Sequence, residues 1–126
     1  MRLAVQWLHF AETIAMHGAS VVQQQVLVTP AERSLVEIKL ESRRLHKAFA
    51  VQEQHWSDRD YLLASGFSAV DTAVGYSVQS GRQLIGIAGL PLLAGYYARL
   101  QARPAFARAN EQAPIKAMAE VVPGLT

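Results

Sequence analysis

The sequence contains no cysteine, which excludes disulfides, thiolate zinc sites and a catalytic thiol on this chain. It also lacks a membrane-spanning run. The charge-free stretch 83–98 is broken by three glycines and a proline, and it is shorter than the ~20 residues that a bilayer span requires. The N-terminus lacks the apolar segment of a signal peptide. We therefore expect no membrane partner and a cytoplasmic location.

Charges of one sign do not cluster. Twelve Lys and Arg residues and ten Asp and Glu residues leave a formal net charge of +2, and between Glu32 and Lys47 the basic residues are interleaved with acidic ones. This pattern provides no electrostatic footprint for nucleic acid, so no nucleic-acid partner is expected. No metal site is expected either, because His9, Glu12 and His17 lack the i, i+4 pair with a third converging ligand that helical zinc sites use.

The alternation of apolar and polar residues that marks a half-buried strand is missing too, and apolar residues recur instead at helical spacing. The 126 residues, 51% of them hydrophobic, suffice for one domain with a real core. We predict an all-α domain of about five helices over residues 1–112, followed by a C-terminal tail over 113–126. Periodicity places three of the helices over Leu3 to about Leu27, Pro91 to about Ala102, and Ala105 to about Gln112.

The second helix has the clearest start signal of the chain. Thr29 is predicted as its N-cap, a proline follows as the first helical residue, and Glu32 is the reciprocal member of a capping box. After the second helix, residues 57–67 are predicted to form a loop that inserts Leu62 or Leu63 into the core. Apolar residues at helical spacing predict the buried stripe of the second helix: Leu35, Ile38, Leu45, Phe49 and Trp56.

A second capping box, formed by Ser68 and Asp71, begins the third helix. Residues 72–80 carry no charge, which is typical of a helix in the middle of a domain. Asp71 is therefore predicted to be a buried or half-buried cap, and Gly81 is predicted to end the helix in the left-handed conformation. For the four capping residues, Ser68, Asp71, Thr29 and Glu32, we expect structural roles and no part in catalysis.

Three segments in series resemble the C-terminal, all-helical domain of bacterial glutathione S-transferases. The run Phe-Ser-Ala-Val-Asp at 67–71, followed by the charge-free helix, resembles the N-capping box and buried central helix of that domain. The run Trp-Leu-His-Phe-Ala-Glu at 7–12 resembles its first helix, and Arg-Pro-Ala-Phe at 103–106 its closing segment. The similarity extends, in order, over about residues 3–110, and it implies a bundle of about five helices.

A full glutathione transferase carries a thioredoxin-like α/β half before this domain. In the family, that half binds glutathione and supplies the Ser, Tyr or Cys that stabilises the thiolate. No strand–helix–strand pattern precedes Trp7, so we expect the helical half with the thioredoxin-like domain absent. The resemblance then implies no cofactor held by this chain alone, glutathione being the co-substrate of the intact family. It implies a homodimer, or association with a thioredoxin-like domain, as the partner.

The candidate binding residues lie on the first and third helices. His9, Thr13, Met16 and Ser20 are spaced i, i+4, i+7 and i+11, which places them on one helix face. In the family, the first helix borders the electrophile cleft and lines the dimer interface, and the resemblance implies that His9 and Met16 reach glutathione. Tyr76 is a further candidate substrate contact, with core packing as its alternative role.

Three function classes remain open. The resemblance implies a glutathione S-transferase-like domain that contributes the hydrophobic wall of the electrophile site and the dimer interface, without catalysing conjugation alone. The alternative is a non-catalytic module that binds other proteins through its helical surface. A generic helical bundle that binds an apolar ligand is third, and it has no need of the box formed by Ser68 and Asp71.

Overall fold

The computed structural model describes residues 2–56 and 58–112, which form five α-helices and one short π-helical segment, Gln23–Leu27. Within these residues no strand occurs, and β pairing is limited to an isolated bridge between Leu63 and Gly66. The all-α class is thus confirmed; the predicted tail, 113–126, lies outside the described residues. The helices are α1 (Arg2–Val22), α2 (Leu35–His55), α3 (Ala69–Ile85), α4 (Pro91–Gln101) and α5 (Pro104–Gln112).

The start of α2 corrects the sequence prediction. Thr29 does not cap this helix: its hydroxyl donates to the Glu32 carboxylate at 2.7 Å, inside a separate turn that precedes the helix. Ser34 is the N-cap, because its hydroxyl accepts a hydrogen bond from the backbone N–H of Glu37 at 3.2 Å. Leu35, predicted to be buried, is the first helical residue and is 77% exposed.

Hydrogen bonds of the Gln24 and Arg33 side chains join the π-helical segment to this turn and to the start of α2. The Gln24 side chain accepts from the backbone N–H of Ser34 at 2.9 Å. The Arg33 guanidinium donates to the carbonyls of Gln25, at 2.7 Å, and Val28, at 3.2 Å. These bonds fix the chain immediately before α2, and they explain why the helix begins at the second of two adjacent capping sequences.

The core is one apolar cluster between the first four helices. Trp56 and Tyr96 stack with ring centroids 4.0 Å apart, joining the end of α2 to α4. Leu62 is fully buried, as predicted for the loop, whereas Leu63 is partly buried at the edge of the cluster. The largest fully buried apolar side chains are Tyr96, Phe49, Ile14, Leu45, Leu62, Leu93, Val21, Val74 and Val78.

Asp71 joins three elements through one carboxylate. It is fully buried, and the capping box with Ser68 is formed as predicted. The carboxylate accepts hydrogen bonds from the backbone N–H groups of Leu62, at 3.0 Å, and Ser68, at 2.9 Å, and from the Tyr96 hydroxyl at 3.1 Å. Burial, and then the neighbouring carboxylate, raise the pKa of Tyr96 far above its usual range, so this hydroxyl stays a donor.

Gly81 has a different role from the one predicted. Helix α3 continues through it to Ile85, and Gly86, with a φ of 67°, ends the helix in the left-handed region. A Cβ atom on Gly81 would lie 2.8 Å from Cζ of Phe49. Glycine is therefore needed at position 81 for the close approach of α2 to α3.

Replacement of Asp71 by alanine should lower the free energy of unfolding by about 3–5 kcal/mol, because two buried donors and one part-buried donor lose their acceptor together. The control Ser34→Ala removes an N-cap at the exposed end of α2 and should cost only about 1 kcal/mol. Urea denaturation followed by circular dichroism measures both. Equal losses in the two variants would contradict the central role of Asp71.

Two glycine substitutions should change stability in opposite directions. Gly81→Ala should lower the free energy of unfolding by about 1–3 kcal/mol, because its Cβ meets the Phe49 ring. Gly18→Ala should raise it by up to about 1 kcal/mol, since there the Cβ lies at an ordinary 3.6 Å from Leu84 and alanine favours the helix. Thermal melts of the two variants test this, and a stabilised Gly81→Ala protein would refute the packing argument.

Candidate functional site

The predicted stripe on α1 lies on an open face of the bundle. His9, Thr13 and Met16 are all exposed, Met16 to 68%, on the side of the helix opposite the buried residues Trp7 and Ala11. The Thr13 hydroxyl donates to the His9 carbonyl at 3.4 Å, which leaves its oxygen free to accept. The structure thus brings these three candidate residues together on one accessible surface.

The rotation of α1 is fixed by polar contacts on its other sides. Nδ1 of His17 lies 2.7 Å from the Glu41 carboxylate of α2, and Arg44 pairs with the second oxygen of that carboxylate. On the α3 side, the Ser77 hydroxyl donates to the carbonyl of Ala11 at 3.1 Å. Because α1 is held from two directions, its stripe faces outward in a defined orientation.

Tyr76 lies in a different place. It is 62% exposed, so the alternative of a core residue is wrong, and it lines a groove of about 430 Å³ between α3 and α5. No residue of α1 lines this groove, so Tyr76 does not share a pocket with the stripe. The lining residues are Phe67, Asp71, Thr72, Gly75, Tyr76, Gln79, Leu100, Arg103, Ala105, Phe106, Ala109 and Asn110.

The sequence analysis missed this groove, although one signal for it was present. Thr72, Gly75, Tyr76 and Gln79 are spaced i, i+3, i+4 and i+7, which places them on one face of α3 within its charge-free stretch 72–80. Helix α3 contacts α1 through another side, where Ser77 bonds Ala11, and Tyr76 is left 62% exposed. Phe106 of α5 is partly buried and also lines the groove.

The four capping residues form two separate pairs. The Asp71 carboxylate is fully buried and accepts hydrogen bonds from the backbone N–H groups of Leu62 and Ser68 and from the Tyr96 hydroxyl, so it stabilises the fold. Ser68 caps α3 by accepting from the N–H of Val70 at 3.3 Å. Thr29 and Glu32 are exposed and bond each other.

Two further properties of the described residues bear on function. Among residues 2–56 and 58–112, no three His, Asp or Glu side chains come together as a group able to hold a metal ion. Within the same ranges, every helix is too short or too polar to cross a bilayer.

The arrangement of five helices, with α3 capped by Ser68 and Asp71 and packed against α1, is that of a glutathione transferase C-terminal-like domain. No family model and no curated protein matches the chain, but solved structures do. A glutathione transferase from Burkholderia graminis, with two glutathione molecules bound per subunit, is similar with a TM-score of 0.77 and 19% identity. The match covers 90% of this chain and 50% of that one.

A second solved structure has the same relation to the chain. The glutathione S-transferase from Methylobacillus flagellatus KT, with glutathione bound, has a TM-score of 0.75 and 19% identity, covering 89% of this chain and 55% of that one. The chain therefore spans about half the length of both structures. These matches confirm the fold expected from the resemblance.

The Glu41 carboxylate, which joins α1 to α2, should make stability depend on pH. The pKa of Glu41 is lowered from its ordinary value of 4.5. The hydrogen bond with His17 is the largest cause, burial acts in the opposite direction, and the contact with Arg44 lowers the pKa further. A lowered folded-state pKa stabilises the protein above pH 4.5, and this contribution is lost as the pH falls through the folded-state value.

The difference in unfolding free energy between wild type and Glu41→Gln should therefore be largest above pH 4.5 and shrink below it. Lys47→Gln, exposed on the same helix, is the control and should follow the wild-type profile. Urea denaturation at a series of pH values measures the profiles. A difference that persists unchanged down to pH ~3 would contradict this role of Glu41.

Proposed function

We propose that this chain acts as the helical half of a glutathione S-transferase-like protein. In this role it contributes a hydrophobic wall to the electrophile site and a dimer interface, while conjugation chemistry belongs to a thioredoxin-like partner domain. The observation that carries the proposal is the fold: the chain matches half the length of two structures that hold glutathione. The exposed stripe on α1 is the surface of this chain best suited to that ligand.

The residues of the stripe have the chemistry that glutathione requires. Glutathione presents two carboxylates and two peptide groups, and the imidazole of His9 and the hydroxyl of Thr13 are able to bond such groups. Met16 adds an adaptable apolar contact beside them. Tyr76, on the neighbouring groove, is assigned to the apolar electrophile, because its ring is largely exposed.

The chain alone should show little conjugation activity. The reaction requires the glutathione thiolate, and a free thiol with a pKa near 8.5 is mostly protonated at neutral pH. In the family that the sequence resembles, the group that stabilises the thiolate lies on the thioredoxin-like half. The helical half therefore supplies orientation and an apolar surface, and no cofactor of its own.

The dimer face is assigned to α1 and α2, which expose apolar side chains. Leu8 is 43% exposed on α1, and Leu40 and Val51 on α2 are 44% and 47% exposed. Large apolar side chains exposed on two adjacent helices support a role for this face in binding another protein. We assign it to a second copy of the chain or to the thioredoxin-like domain, in the cytoplasm.

Glutathione titration of the full chain, followed by amide NMR shifts, tests the glutathione assignment. Shifts should concentrate on α1, and the paired variant His9→Ala with Met16→Ala should weaken binding at least about fivefold, because it removes both side chains expected to contact glutathione. His46→Ala, an exposed histidine on α2, is the control and should bind as wild type. Conjugation to an aryl halide should stay at the uncatalysed rate. Absence of any shift on α1 would refute the proposal.

A non-catalytic interaction module is the second candidate. The same exposed apolar residues on α1 and α2 favour it, because a protein partner could cover them whether or not glutathione binds. Glutathione binding distinguishes the two candidate functions. A chain that dimerises or associates through this face while failing to bind glutathione would support the module.

A further inference from the structure

We infer that a second pocket of the bundle, between α4 and the loop that follows α2, binds the phosphate group of a small organic phosphate. The pocket has a volume of about 340 Å³, and its lining includes two arginines, Arg59 of the loop and Arg99 of α4. No residue of α1 lines it. The inference goes beyond the proposed function, because it requires neither glutathione nor a thioredoxin-like domain.

Arg99 reaches the pocket by folding back along its own helix. Its Nη1 lies 3.5 Å from the position that a Cβ atom on Gly95 would occupy, one turn earlier in α4. Its Nε donates to the backbone carbonyl of Asp60 at 3.1 Å. One nitrogen therefore fixes the guanidinium between helix and loop, and the glycine leaves room beside it.

Arg59 is also held through Nε, which donates to Oδ1 of Asp58 at 3.2 Å. Within residues 2–56 and 58–112, the Nη groups of both arginines make no hydrogen bond. The N–H groups of a guanidinium form a planar fork that matches two oxygens of a phosphate. Because both arginines line one pocket, a phosphate with three terminal oxygens is able to accept from both.

The two aspartates at the pocket do not cancel this preference. The side chains of Asp58 and Asp60 are 69% and 80% exposed, whereas those of Arg59 and Arg99 are 32% and 36% exposed. Ion pairs with such hydrated carboxylates are weak, and the shortest approach of Arg99 to the Asp60 carboxylate is 3.9 Å. The less hydrated charges of the pocket are thus positive, and charge interactions are stronger where water is excluded.

The other polar groups around the pocket are consistent with an acceptor as the ligand. Trp56 lines the pocket and is 4% exposed, and its Nε1, a donor only, has no acceptor within residues 2–56 and 58–112. The backbone N–H groups at the start of α4 are already engaged, because the Glu53 carboxylate accepts from Leu92 at 3.0 Å and from Leu93 at 2.7 Å. Side chains, and not the helix N-terminus, therefore hold the anion.

A phosphate monoester suits the pocket better than a carboxylate. Its charge of about −1.5 to −2 at neutral pH matches two guanidiniums, whereas a carboxylate carries a single charge. The pocket volume of about 340 Å³ lies within the range of about 300–1,000 Å³ of small-molecule sites, which leaves room for an organic group. Pro91 and the partly exposed Leu92 supply apolar wall for its carbon atoms.

The test compares glycerol 3-phosphate, glycerate and glycerol, which have the same number of carbon atoms and differ in charge. The chain contains two tryptophans, Trp7 and Trp56, so their indole N–H signals are easily told apart in an NMR titration of the full chain at low salt. Glycerol 3-phosphate should shift the Trp56 signal and leave that of Trp7 in place. It should bind at least about tenfold more tightly than glycerate, and glycerol should not bind.

Three variants separate the contributions of the charges. Arg59→Gln and Arg99→Gln should each weaken binding of glycerol 3-phosphate at least about fivefold, and Arg108→Gln, exposed on α5 and outside the pocket lining, is the matched control. Asp60→Asn should retain or tighten binding, because Arg99 bonds the backbone carbonyl of residue 60 and the substitution removes a competing charge. Arg59 lies in a loop, so its variant tests the site even if Arg99→Gln unfolds.

Three results would overturn the proposal. The first is equal affinity for glycerol 3-phosphate and glycerate, which would mean that the two arginines do not act together on one phosphate. The second is weaker binding by Asp60→Asn, which would indicate a cationic ligand. The third is an unshifted Trp56 signal at ligand concentrations up to about 10 mM. Failure of the glutathione titration leaves this result unaffected, because that titration reports on the α1 stripe.

Discussion

The buried carboxylate of Asp71 is the constraint on which the rest of the structure depends. An ionised group in an apolar interior is tolerated only where hydrogen bonds replace its hydration, and here three donors from different elements do so. The loop before α3, the first turn of α3 and Tyr96 of α4 must therefore meet at one point. This meeting point determines where the loop residue Leu62 enters the core, and it forms the floor of the groove between α3 and α5.

Signals that act within a few residues made the fold predictable. Helical periodicity identified four of the five helices, and the spacing of Ser68 and Asp71, with the charge-free stretch after it, identified the start of α3 and its buried cap. The same local rule failed at α2, because two capping sequences lie five residues apart and each satisfies it. Contacts of Arg33 with the end of the preceding helix decide between them, and no local pattern contains that information.

The two candidate surfaces also differ in how far the sequence predicts them, depending on whether one helix or two form the surface. The stripe on α1 follows from periodicity within one helix, so its exposure was predictable from the sequence. The groove joins α3 to α5, which are about 30 residues apart in the sequence, and it exists because small residues on α5 stand opposite aromatic ones. From the sequence, Tyr76 was a candidate for substrate contact or for core packing, since aromatic side chains in a helical pattern are often buried. Only the tertiary arrangement shows that Tyr76 is largely exposed.

Charged and polar groups are placed in two ways in residues 2–56 and 58–112. The two carboxylates that are buried there, those of Glu41 and Asp71, each accept hydrogen bonds from several partners and so hold helices together. Removal of either carboxylate takes away an acceptor that several donors share, so the cost falls on the fold. His9, in contrast, faces outward on α1. The buried polar groups therefore fix the helices, and the ligand-binding role that we propose falls to polar groups on the exposed face, which a rigid scaffold holds in place.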